Sequence, residues 1–216
     1  MKHPRNRMPE SGHTAPTLSP GEALHRLKEG NLAFVTKAPL KVVTGENRQL
    51  PQSNSPIAVI IACSDSRVPP EILFRQFGGE LFVIRNAGNT IDTLAMGSLE
   101  YAVEVLKVPL VVVLGHERCG AVSAAFELVE KGVTFPGSIG RVLEPIIPAI
   151  IDANRQGATD LLDASVRANV SRTVDRLRRF SDQIVLAPLA AGTLRVVGAH
   201  YDLGDGTVDF FDEGEV

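Results

Sequence analysis

Tryptophan is missing from this 216-residue chain, and aromatic residues of every kind make up only 5% of it. A protein that stacks nucleic-acid bases on aromatic platforms needs more of them. An excess of basic charge is missing too. The 22 Lys and Arg residues stand against 25 Asp and Glu, for a formal net charge of −3. Neither nucleic acid nor a membrane surface is therefore expected as a partner. No apolar run approaches the roughly 18 residues of a membrane span. The opening segment, MKHPRNRMPESGHTAPT, is basic and polar and lacks the apolar stretch of a secretory signal. Cysteine is scarce: two residues cannot make a disulfide framework, and a reducing, cytoplasmic setting is expected.

What is present suits a sizeable core, since 44% of the residues are hydrophobic. Residues 1–18 read as a flexible tail and 19–216 as a single domain. Ser19, Pro20 and Glu22 have the spacing of a helix start with a capping box, and Leu24, Leu27, Leu32 and Phe34 continue a helical stripe. Residues 37–56 are polar with three prolines, a loop or wrapping arm in which a short helix around Val43 to Leu50 has room to form. Continuous apolar runs follow at Ile57–Ala62, Leu81–Ile84 and Leu110–Leu114, as in strands buried on both faces. Helical patterns lie between and after them, at 93–108, 119–132, 138–155 and 160–180. Residues 193–202 and 207–211 read as a strand and its antiparallel partner, joined by a turn at Asp205-Gly206. The fold class is α/β: a mainly parallel central sheet flanked by helices, with an N-terminal helical arm and a C-terminal antiparallel hairpin.

The two cysteines fall at informative places. Cys63 opens "CSDSR" directly after the first apolar run, and Cys119 lies in "GHERCG" directly after the third. Ligands of open α/β sheets bind at that edge, above all where strand order reverses, so the two loops are expected to converge. His116 and Cys119 stand three apart, and with Cys63 they offer two thiolates and one imidazole, a donor set that favours zinc. Asp65 is either a fourth ligand, closing the site, or the partner of Arg67. An always-charged guanidinium beside Asp65 favours the pair and leaves the fourth position to water, whose pKa zinc lowers to about 7. Asp65 then orients a zinc-bound hydroxide. A disulfide between Cys63 and Cys119 is a lesser reading, because it leaves His116 and Asp65 without a task. His3, His13 and His25 read as surface residues, His200 as structural, Glu117 and Arg118 as a solvated pair. Arg85 reads as a structural ion-pair partner or as a charge on the substrate side.

With "FVIRNAGN" and "LEYAV" between them, these two motifs resemble the β-class carbonic anhydrases, from about Pro20 to the final hairpin. The resemblance implies reversible hydration of carbon dioxide to bicarbonate and a proton. It implies one Zn2+ per subunit on Cys63, His116 and Cys119, with Asp65 also able to ligate it in an inactive form, and Asp65 with Arg67 as catalytic dyad. It further implies Phe82 and Tyr101 as walls of a narrow carbon dioxide pocket, the Gly120 N–H facing a substrate oxygen, and a homodimer or homotetramer with the pocket at its interface. Two positions depart from the family pattern. Asn54 stands where many members carry Gln to donate to bicarbonate. Ile60 replaces a Trp that in one branch builds a second, inhibitory bicarbonate site, so no site of that design is expected. Relatives that hydrolyse carbonyl sulfide or carbon disulfide make that chemistry the alternative on the same fold and metal. A zinc module closed by four protein ligands is a further rival, against which Arg67 argues.

Overall fold

The structure is a computed structural model that describes residues 18–38 and 55–214. In chain order its helices are α1 (Pro20–Val35), α2 (Pro70–Leu73), α3 (Thr93–Glu104), α4 (Gly120–Lys131), α5 (Ile139–Leu143), α6 (Ile147–Gln156), α7 (Leu161–Phe180) and α8 (Gln183–Ala190). Its strands are β1 (Ala58–Cys63), β2 (Leu81–Asn86), β3 (Leu110–His116), β4 (Arg195–Tyr201) and β5 (Val208–Asp212). The expected tail, except Leu18, and the short helix around Val43 to Leu50 lie outside the described residues, as does Asn54.

Helix α1 begins as its sequence dictates. The Ser19 hydroxyl accepts the Glu22 N–H at 3.3 Å, and the Glu22 carboxylate accepts the Ser19 N–H at 2.8 Å. Two orphan donors of the first turn are thereby satisfied.

The five strands form one sheet in the order β2-β1-β3-β4-β5. The first four are parallel, and β5 runs antiparallel to β4. All residues of β1 and β3 are buried, because helices cover both faces. Alternation along each strand splits the core. Val59, Ile61, Val111 and Val113 face α3, α7 and α8, while Ala58, Ile60, Ala62, Leu110, Val112 and Leu114 face α1 and α2. From β1 the chain crosses to β2 on one side, then returns to place β3 on the other. That reversal opens a crevice at the carboxyl ends of β1 and β3. Helix α7 sits tight above it. A Cβ on Gly115 would come 2.7 Å from Val170 Cγ2, so only glycine lets this helix approach β3 so closely.

Three local details differ from the sequence reading. The helix expected over 138–155 is two α-helices joined by a 3-10 turn at Glu144–Ile146, because Pro145 and Pro148 lack the N–H a continuous helix needs. Helices α2 and α8 carry no amphipathic stripe to announce them, and α8 holds Pro188 within it. Cys63 and His116 are the last residues of their strands instead of the first residues beyond them, paired in register with Asn86 and Tyr201.

Candidate metal centre

Strand β1 delivers Cys63, strand β3 delivers His116, and Cys119 is the N-cap of α4. The two sulfurs and a ring nitrogen of His116 lie within 4.8 Å of one another, and all three residues are buried. The sulfurs are 3.9 Å apart, and both cysteines are free. The His116 Nδ1 lies 2.9 Å from the Glu117 carbonyl, a contact that makes Nδ1 the protonated nitrogen. That tautomer leaves a lone pair on Nε2, which is buried without a hydrogen-bond partner among the described residues. A buried, unpartnered imidazole nitrogen beside two sulfurs is a costly arrangement unless a cation fills it. The donor chemistry fits zinc.

The thiols share one proton unequally. A hydrogen bond from the Cys119 thiol, against the opposing effect of burial and helped by the adjacent His116 ring and the Gly88 N–H at 3.4 Å, holds Cys63 toward the thiolate. The same bond, reinforced by burial, keeps Cys119 protonated, against the opposing pull of the Ala121 and Val122 N–H groups at the start of α4. A cation in the cluster would release that proton, because thiolates are the ligating form.

Asp65 does not join the three-residue cluster. Its carboxylate is committed to Arg67: Nε donates to Oδ1 at 3.0 Å and Nη2 to Oδ2 at 2.7 Å. The Arg67 N–H adds a bond to Oδ1 at 2.9 Å. The guanidinium holds this carboxyl well below the usual carboxylate range.

Other expected site residues fall as follows. Gly120 is the first residue of α4 and exposed, where helix N–H groups lack internal partners. Phe82 and the exposed Tyr101 pair with ring centroids 6.4 Å apart. Phe82 is in register with Val59, four residues before Cys63 along the sheet, so it stands roughly 13 Å from its own chain's cluster. The structure therefore does not bring this aromatic pair to that cluster. Ile60 is wholly buried in the core. His200 is buried at the floor of a cavity of about 660 Å³ lined also by Glu117, Asp163, Arg167 and Asp209. None of the three cluster residues lines that cavity.

Two supporting residues, Gly88 and Asn169, escaped the sequence reading, and a third, Arg85, is structural as read but through different partners. Gly88 adopts φ +79°, and a Cβ there would lie 2.6 Å from Ile146 Cδ1, so glycine alone can bring its N–H to the Cys63 sulfur. Asn169, buried on α7, donates to the Gly88 carbonyl at 2.9 Å. Arg85 binds two carbonyls of the "CSDSR" segment, of Cys63 and of Asp65, where an ion pair was expected. The glycine inside "RNAGN" was the one available hint. Asn169 had none, since its role exists only once α7 is packed.

Comparison with known proteins agrees with this geometry. Residues 58–208 match the family model described as carbonic anhydrase. A carbonic anhydrase of Mycolicibacterium smegmatis is 42% identical over 196 residues, which is 90% of this chain and 94% of that protein. Carbonic anhydrase 2 of Mycobacterium tuberculosis is 40% identical, covering 88% of this chain and 92% of its own. Among solved structures, one of the tetrameric β-carbonic anhydrases of Sordaria macrospora aligns with a TM-score of 0.69 at 26% identity, over 76% of this chain and 84% of that one. The chain belongs to the β-carbonic anhydrase family.

Proposed function

We propose that the protein catalyses the reversible hydration of carbon dioxide, CO2 + H2O giving HCO3− and H+, with zinc held by Cys63, His116 and Cys119. One observation carries this reading: the unpartnered, buried Nε2 of His116 between two thiols, in a chain of this family. Zinc in this setting supplies Lewis-acid activation of water, whose pKa falls from about 15.7 to about 7. The chain's own groups do the rest. Asp65, kept ionised and immobile by the Arg67 fork, is a hydrogen-bond acceptor that orients the attacking water. Gly120 presents a free helix-start N–H as a donor for a substrate oxygen. The neutral substrate needs only an apolar wall, and the released proton passes to buffer.

The position of Phe82 and Tyr101, far from their own cluster, supports a site completed by a second copy. We propose that the protein works as a homodimer or homotetramer in which this pair walls the neighbouring subunit's pocket. Two reduced, buried thiols at the site suit a reducing compartment, proposed to be the cytoplasm. No helix among the described residues is long and apolar enough to cross a membrane.

Stopped-flow hydration of carbon dioxide, run beside a zinc assay and beside hydrolysis of carbonyl sulfide, tests the proposal. Stoichiometric zinc with fast hydration and slow sulfide hydrolysis is the expected result. Rapid hydrolysis of carbonyl sulfide without hydration would move the activity to that alternative. Zinc without either activity would favour a purely structural site.

A further inference from the structure

Asp65 and Arg67 are two residues apart and bonded into one closed turn, so their pairing alone does not determine where that turn points. The Asp65 carboxylate has two possible partners, the guanidinium or the metal, and choosing between them requires an anchor outside the turn. The structure supplies one. Arg85, on the neighbouring strand β2, donates from Nε to the Cys63 carbonyl at 3.0 Å and from Nη2 to the Asp65 carbonyl at 2.5 Å. One planar fork thus ties the backbone of a metal-ligand candidate to that of the dyad carboxylate. The Asn86 carbonyl accepts the Ser64 N–H between them at 2.9 Å, and the Val68 N–H closes on the same Asp65 carbonyl at 3.1 Å. Rotating the Asp65 peptide to redirect its side chain would break the Arg85 bond.

We propose that Arg85 is a positioning residue, whose fork holds the Cys63–Asp65 segment so that the Asp65 carboxylate stays on Arg67 and leaves the metal's fourth position to solvent. The inference rests on the proposed zinc site. It assigns Arg85 no contact with substrate. Its planar geometry is what matters, because two carbonyls on alternate residues match a two-pronged donor and not a point charge.

The test compares the zinc-loaded full-length protein with its Arg85→Ala and Arg85→Lys variants. Amide hydrogen exchange at Ser64 and Val68 should rise about tenfold in both, the scale of one lost charge-assisted bond. Turnover should fall about 10- to 100-fold, as for other residues that orient a metal site from outside, while zinc content stays at one per chain. Because Arg85 is exposed, added guanidinium ion should reach the vacated place in Arg85→Ala and restore part of the turnover. Arg178, whose fork holds the Val196 carbonyl at the far end of the sheet, provides a control. Arg178→Ala should cost stability without faster exchange at Ser64 or Val68 and without rescue by guanidinium.

Unchanged exchange and near-wild-type turnover in Arg85→Ala would overturn the proposal. So would full activity in Arg85→Lys, which would make the charge and not the fork responsible, or loss of zinc from Arg85→Ala. A wild-type protein that holds zinc but hydrates nothing would instead defeat the proposed function, and the exchange comparison would still decide the role of Arg85.

Discussion

Asp65 and Arg67 meet side by side, both carboxylate oxygens taking a guanidinium N–H, with a third bond from the Arg67 backbone. Three of this carboxylate's roughly four lone-pair sites are thereby taken, which leaves it little acceptor capacity to spare for a metal. Asp65→Asn replaces one acceptor oxygen with an amide donor. Turnover should fall by about 10²-fold or more. Zinc should remain at one per chain, held by the other three residues. Metal analysis beside stopped-flow hydration decides this, and a variant that loses most of its zinc would make Asp65 a ligand first.

Arg67→Lys keeps the charge and loses the fork. A single ammonium cannot engage both oxygens in parallel, so the carboxylate gains freedom to turn. A loss of about tenfold in kcat/KM, with zinc content unchanged, is expected from steady-state hydration assays.

Asn169→Leu keeps the branched shape of the side chain and removes the donor to the Gly88 carbonyl, leaving a buried acceptor unpaired. The cost should be about 1–3 kcal/mol. Thermal melts should register it as a Tm lower by several degrees. The Gly88 N–H loses its support, so zinc affinity, read by competition with a chromogenic chelator, should weaken as well.

Removing zinc should leave two buried sulfurs 3.9 Å apart, one of them held toward the thiolate. Thiolate attack is the first step of thiol oxidation. The metal-free protein treated with diamide, which accepts the two electrons and two protons, should form a Cys63–Cys119 disulfide. The zinc-loaded protein should resist. Mass spectrometry of unreduced peptides reads the difference, and equal oxidation of both forms would count against these cysteines as ligands.

His200 sets a pH limit on stability. Burial pushes its pKa below the ordinary histidine value, Arg167 adds to this, and Asp163, Asp202 and Asp209 oppose it. The folded state therefore resists the proton that the unfolded chain accepts as pH falls through about 6.5, and stability drops below that pH. His200→Gln cannot titrate. Urea melts at pH 7.5 and pH 5 should show a smaller gap in stability in the variant than in the wild type.

The buried strands and the first helix were legible in the sequence because their signals are local. Ile57–Ala62 and Leu110–Leu114 are apolar without break since both faces of the sheet are covered, and Ser19 with Glu22 marks a cap by spacing alone. The convergence of Cys63 with His116 and Cys119 followed from topology, because each lies at the carboxyl end of a strand beside the point where strand order reverses. Legibility ended where packing between distant elements takes over. Nothing in the sequence around Asn169 points to Gly88, and nothing around Arg85 shows that its partners are carbonyls. The break at Glu144–Ile146 was readable from Pro145 and Pro148, but the apolar spacing across 138–155 masked it.

Of the three candidate donors, Cys63 ends β1, His116 ends β3 and Cys119 caps α4 just beyond, so they meet only once β1 and β3, far apart along the chain, lie side by side. An unfolded polypeptide can offer the nearby His116 and Cys119 together, but never the full trio. A cation held by all three donors must therefore wait until β1 and β3 have paired, which makes the complete site a product of sheet assembly and not of any local stretch of chain.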